Sequence, residues 1–341
     1  MATDMRTLRV LPFVLVACAP VALAQDLRKA LTEADVVAVA RAVGKTAFSE
    51  DVELHRLQLV EPLRGARDGQ TTAVVVDWPK LSLHNRPSPR QTRLYCLQDA
   101  TREAQRIGLP ADGGPYYRMS ARAGSNPLVG QDLAADPILR FARTLADAER
   151  GATPADTANA LAAMALGQDA AVRLEATRLF AERPLLRARL SPPQWSDLLG
   201  RTSGETADID YKIALAELCA EQRLDGTVDA LLVGLGSVKD PAYARTVGRL
   251  CAFLRGEDAA EPLLQRLQTT GDQPTRAALL LAVGATRTAK ALDALLQFKQ
   301  RATEDAAVDA ALQEHGSQRA KDAVLRPGKD GKDADNKDAG K

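Results

Sequence analysis

The chain has 341 residues, enough for two domains or for one domain joined to a repeat array. Its 45 basic residues stand against 44 acidic ones, a net charge of +1, so no overall field is available to draw in nucleic acid or a membrane surface. Hydrophobic residues make up 45% but aromatics only 4%, which favours cores packed from small and aliphatic side chains over an aromatic sandwich.

At the N-terminus, Arg6 and Arg9 precede an apolar run over residues 10–24, interrupted by Pro12 and Pro20 and ending on Ala22-Leu23-Ala24. A basic start, an apolar centre and a small-x-small end describe a signal peptide over residues 1–24. The run is too short and too broken by proline for a membrane span. Within it, Leu15-Val16-Ala17-Cys18 resembles a bacterial lipobox, in which the cysteine becomes the lipid-bearing N-terminus. The residues after Cys18 stay apolar, which favours cleavage after Ala24. The protein is thus expected to be exported, periplasmic or secreted, with a lipoprotein anchored through Cys18 as the alternative.

Residues 36–43 are β-branched and alanine-rich, stop at Gly44, and are expected to form a strand. Residues 52–60 alternate by two, with a slip at His55-Arg56 that suits a bulge. Further strands are predicted over 72–78, stopped by Pro79, over 92–97 and over 115–120. Five short strands over residues 30–125 imply a small antiparallel β-barrel, and a connecting helix over 136–150, with Pro137 in its first turn, is expected to close it. The order resembles OB-like or netrin-like modules, on Ala34-Asp35-Val36-Val37, on Leu59-Val60-Glu61-Pro62-Leu63-Arg64-Gly65 and on Leu94-Tyr95-Cys96-Leu97. Netrin-like inhibitors rely on several disulfides that this chain lacks, so the resemblance implies a shape and no inhibitor role.

From 154 to 325 the pattern is helix after helix. Asp169, Asp240, Asp272 and Asp305 each precede a helical run, the last three spaced by about one αα-hairpin. Residues 276–284 followed by 289–296 read as a capped helix, a glycine turn and a second helix ending in paired leucines. These residues resemble HEAT-like, armadillo-type repeats. The fold class is therefore expected to be α+β: the small barrel followed by an all-α HEAT-like solenoid. Residues 326–341 carry Gly, Lys, Asp and Asn with no large apolar side chain, and are expected to be a disordered tail.

Cleavage after Ala24 leaves Cys96, Cys219 and Cys251, an odd number that argues against a disulfide framework. Cys219 and Cys251 follow leucines at the same register of two successive repeats, as expected of buried free thiols.

Chemistry is sparse. The chain has no nucleophile elbow, P-loop, dinucleotide fingerprint, zincin motif or C-x-x-C pair. None of His55, His84 and His315 stands three or four residues from another metal-ligand type in a way that suggests a site, so no catalytic residue, metal site or cofactor is expected. His55 is assigned to a strand face and His315 to the surface at a helix end. The long connection over 79–90 carries Lys80, His84, Arg86 and Arg90, with Trp78 at its base. Long structured loops are often functional, and a basic loop beside an aromatic suits an anionic glycan or an acidic peptide; the alternative is a proline-stiffened, solvated loop. The leading functional expectation is an exported protein-binding or scaffold protein of the cell envelope. It would hold a protein or peptide on its repeats, without catalysis and without nucleic acid. The rival is an enzyme, or an enzyme accessory domain, with its site on the barrel near residues 79–90.

Overall fold

The computed structural model describes residues 20–77, 87, 89, 91–120, 126–301 and 305–325, with side chains from residue 27 onward. The expected lipidation site Cys18, most of the signal segment and the tail 326–341 lie outside these residues. The chain is α+β and divides into two compact units, Met1–Leu128 and Val129–Lys341.

The first unit opens with helix α1 (Pro20–Glu33), which runs across the expected cleavage point. Five strands follow: β1 (Val36–Ser49), β2 (Val52–Arg64), β3 (Thr72–Asp77), β4 (Thr92–Asp99) and β5 (Tyr116–Met119), with helix α2 (Thr101–Arg106) between β4 and β5. They close into a barrel in the order β1-β2-β3-β5-β4, and β1 completes the ring by pairing with β4. Every pair is antiparallel except β3–β5, which is parallel and departs from the all-antiparallel expectation. The lumen is filled by alternate residues of each strand, among them Ala38 and Ala40 of β1, Leu57 of β2, Val75 of β3, and Tyr95 of β4.

The slip in β2 has two causes. Ala42 pairs with Leu57 and Gly44 with Arg56, so the extra residue is Val43 on β1, opposite the point where the bulge was expected. Val43 is half exposed. Leu54 breaks the alternation because the outside of β2 is covered as well. Val52, Val76, Ala104, Leu109 and Tyr116 form a second buried cluster on that side, with Leu54 and Val74 packed against it. Ala104 belongs to α2, so this helix roofs the outer face of β2, β3 and β5.

The second unit is a stack of helical hairpins. One set of helices packs in succession: α3 (Pro137–Glu149), α5 (Ala170–Glu182), α8 (Ile209–Glu221), α10 (Pro241–Arg255), α12 (Gln273–Thr286) and α14 (Ala306–His315). The other set comprises α4 (Pro154–Ala165), α7 (Pro192–Ser203), α9 (Thr227–Ser237), α11 (Ala260–Gln268), α13 (Ala289–Arg301) and α15 (Gln318–Leu325). The short helix α6 (Pro184–Arg187) is inserted ahead of α7. Each helix of the first set starts on an aspartate: Asp136, Asp169, Asp208, Asp240, Asp272 and Asp305. All six carboxylates accept hydrogen bonds from first-turn amides, satisfying donors the helix cannot. The steps are about 33 residues, with one longer step from Asp169 to Asp208 that contains α6. The helix at 136–150 is the first member of this series and packs on α4 and α5 within the second unit, where the sequence reading had it closing the barrel.

The cap aspartates also carry contacts between repeats. Arg173 on α5 lies 3.4 Å from Asp208, Lys239 lies 2.8 Å from Asp272, and Arg276 on α12 lies 3.8 Å from Asp305. Glycines set the closest approaches. A Cβ on Gly248 would lie 2.1 Å from the Ala282 carbonyl oxygen, and one on Gly284 would lie 2.2 Å from that of Ala311. Cys96, Cys219 and Cys251 are buried free thiols, as the repeat register predicts for the last two, and burial pushes each up to about 12.

Candidate functional site

Strands β2 and β3 pair so that Glu53 faces Asp77 and His55 faces Val75. Residues 53, 55 and 57 of β2 and residues 75 and 77 of β3 share one side of the sheet by the two-residue period of a strand. Leu57 and Val75 are lumen residues. Glu53, His55 and Asp77 therefore stand on the lumen side, at the end of the barrel where β3 stops. His55 is 3% exposed and Asp77 1% exposed. His55 Nε2 lies 3.4 Å from Asp77 Oδ2 and 3.8 Å from Glu53 Oε2. One ligand atom from each of the three lies within 4.8 Å of the others.

A cation flanks this group. Lys45 of β1 pairs with His55 across the ladder, and its Nζ lies 2.8 Å from Glu53 Oε1. The Val43 bulge puts it there. Before the bulge the lumen residues of β1 are even-numbered, Ala38, Ala40 and Ala42; after it, Lys45 takes the lumen side. Deeper in the lumen, burial pushes the Tyr95 phenol up to about 12, with Arg93 pulling the other way, so it stays neutral.

The residues singled out in the sequence, Trp78, Lys80, His84, Arg86 and Arg90, lie outside the described residues. Strand β3 ends at Asp77, and Pro89 bridges Ala42 of β1. Sequence reasoning missed Glu53 and Asp77 because it tested helical spacings. On a strand, ligands on one face recur every second residue, so Glu53-x-His55 was the signal available.

The helical unit buries polar groups too, and Lys212 and His315 each have a local structural use. The Lys212 side chain is fully buried and donates to the carbonyls of Gly204 and Gly234 and to Ser237 Oγ, with its ammonium 5.1 Å from the Tyr243 ring centre. Burial pulls this amine down to about 8, with Glu205 opposing. His315, expected at the surface, is buried instead. Its Nδ1 lies 3.0 Å from Ser317 Oγ and its Nε2 3.2 Å from the Thr288 carbonyl, tying α14 to the start of α13.

The outer helices bury one stripe and leave the rest open. In α11 the buried residues are Ala260, Leu263 and Leu267; in α13 they are Ala291, Leu295 and Lys299. A groove of about 430 Å³ on this face is lined by Glu261, Leu264, Gln265, Gln268 and Lys290. A groove of similar volume lies on the outside of the barrel, where Val43, Arg56, Val74 and Tyr116 meet. Among the described residues no helix is long and apolar enough to cross a membrane.

In comparisons with known proteins, no family model, curated protein or solved structure matches the chain.

Proposed function

We propose that this is an exported binding protein of the cell envelope, without catalysis of its own, whose HEAT-like repeats hold a protein or peptide partner. The observation that carries the reading is the one-sided burial of the outer helices. The inner helices are consumed by stacking, α12 being buried along most of its length, whereas α11 and α13 keep an open face and a groove. The amides of Gln265 and Gln268 offer donors and acceptors to an extended backbone, and Glu261 and Lys290 offer one charge of each sign. Such a lining suits a polypeptide better than a polyanion.

Site-specific photo-crosslinking tests this. A photoreactive side chain at Gln268 of the full chain, expressed in cells, should crosslink one defined envelope protein. A crosslink obtained only from the barrel, with the reactive group at Phe48, would move the function to the first unit. A second reading, an enzyme or enzyme accessory domain on the barrel, is favoured by one observation, the Glu53–His55–Asp77 group at the end of β3, in which His55 and Asp77 are buried and Glu53 half-buried. Export itself has a simple readout. After denaturation, a chain processed after Ala24 should give three titratable thiols with Gln25 at its N-terminus, and an unprocessed chain four. A lipid-modified Cys18 at the N-terminus would replace the soluble form with an anchored one.

A further inference from the structure

We infer that Glu53, His55 and Asp77 form a binding site for a divalent first-row transition metal ion, at the end of the barrel lumen. This goes beyond the repeat-based reading and stands or falls independently of it.

The distances distinguish a metal site from an ion pair. An imidazolium that donates to a carboxylate closes to about 2.7–2.9 Å. Here the Nε2 to carboxylate separations are 3.4 Å and 3.8 Å, and His55 Nε2 makes no hydrogen bond although it is buried. Two ligand atoms held tetrahedrally at about 2.1 Å from a zinc-like ion sit about 3.4 Å apart. The observed separations match that edge to within a few tenths of an ångström. One ion on the third corner of both contacts completes them without moving the strands.

The placement is that of a built site. The three side chains come from two directly paired strands, so backbone hydrogen bonds fix their spacing. Glu53 and Asp77 are direct cross-strand partners on the same face, an arrangement of like charges that a pair of strands ordinarily avoids. A divalent cation between them converts that repulsion into attraction. Lys45 engages Glu53 through Oε1, while Oε2 is the oxygen turned toward His55. The donor set selects the ion. One imidazole nitrogen with two carboxylates suits Zn²⁺, Mn²⁺ or Fe²⁺; the absence of a thiolate from the set argues against copper(I), and the imidazole argues against Ca²⁺ and Mg²⁺. Three protein ligands also leave at least one position for water or an anionic group, as in sites where the metal acts on a bound molecule.

The test uses the full chain, stripped with a chelator and titrated with ZnCl₂ in a calorimeter. One ion should bind per chain, and His55→Gln or Asp77→Asn should weaken binding by about tenfold or more, because ligand and metal site are one unit. A wild-type chain that takes up no Zn²⁺ at excess overturns the proposal. So does a folded His55→Gln variant, checked by circular dichroism, that binds as tightly as the wild type. Should the variants fail to fold, nitrogen-15 spectra of the wild-type imidazoles decide the matter. The His55 Nε2 resonance should move in proportion to bound Zn²⁺, and zinc binding that leaves it in place refutes the site.

Discussion

In the helical unit, Lys212, Thr286 and His315 reach the interior and each meets a backbone carbonyl; in the barrel, Glu53, His55 and Asp77 reach the interior and meet one another. The first arrangement uses polar groups to finish the hydrogen bonding of helix ends and turns. The second gathers three groups able to share an ion or a proton in a space with low exposure. A repeat array can be regular because each hairpin solves the same packing problem, and its buried polar groups are part of that solution. A small closed barrel has one lumen, and whatever side chains share it must face each other.

The comparison is sharpest under mutation of the array's apolar core. Leu279 and Leu295 are both fully buried, in neighbouring helices α12 and α13. Leu279→Ala and Leu295→Ala should each lower unfolding stability by roughly 2–5 kcal/mol in chemical denaturation, while leaving Zn²⁺ affinity at the barrel unchanged. A weakening of metal binding by either would show that the array supports the barrel site.

Lys212 gives a smaller effect with a pH signature. Its folded pKa of about 8 lies below the ordinary 10.5, so the unfolded chain holds this proton more tightly. The wild type therefore carries a destabilising term below pH 8 that fades as pH rises from 8 to 10.5. Comparing the wild type with Lys212→Met removes the opposing contribution of the three buried thiols, which is common to both. The variant should lose about 1–3 kcal/mol at neutral pH, chiefly because the Gly204 carbonyl loses its donor, and the gap should widen toward pH 10. A gap that narrows over that range would mean Lys212 enters the core without a depressed pKa.

The smallest expected effect is at Arg287, which ends α12 in the left-handed region at φ 56°. Arg223 ends the α8 turn in the same way at φ 53°, and Gly151 follows α3 at φ 104°. A side chain there is strained and glycine is not, so Arg287→Gly should raise stability by about 0.5–1 kcal/mol in the same denaturation measurement. A loss would indicate that the guanidinium makes a stabilising contact that outweighs the strain.

Much of the architecture was legible in the sequence because it depends on local rules. The five strands appear where alternation and β-branching place them, and β1, β2 and β4 run longer than their apolar cores because ladder pairing extends past the buried residues. The cap aspartates announced the repeats. Asp136 was misassigned because a single capped helix after a barrel looks the same whether it packs backward on the strands or forward on the next hairpin. Asp208 was missed because the α6 insertion lengthens the step before it. The candidate site was hidden for a different reason. Glu53 and His55 are two residues apart on one strand, but Asp77 joins them only through the β2–β3 register, a long-range pairing that neither composition nor periodicity encodes. His315 reads as surface from its helix-end position, and only the neighbouring hairpin, through Thr288, makes it interior.

The Val43 bulge has a genetic consequence. Facing in a strand is a reading frame with a period of two, and one extra residue shifts the frame for everything downstream in β1. With Val43 present, Lys45 points at Glu53 and Gly44 pairs on the outside with Arg56. Loss of that single codon would only remove the bulge, leaving Gly44 opposite Arg56 and Lys45 opposite His55. Gain of one codon between Gly44 and Lys45 would instead exchange the two sides of the strand's far half, turning Lys45 out to solvent and placing the new residue toward His55. The charge beside the carboxylates would vanish without any change to the carboxylates or to the lysine, so a one-codon insertion there would act as a mutation of the site.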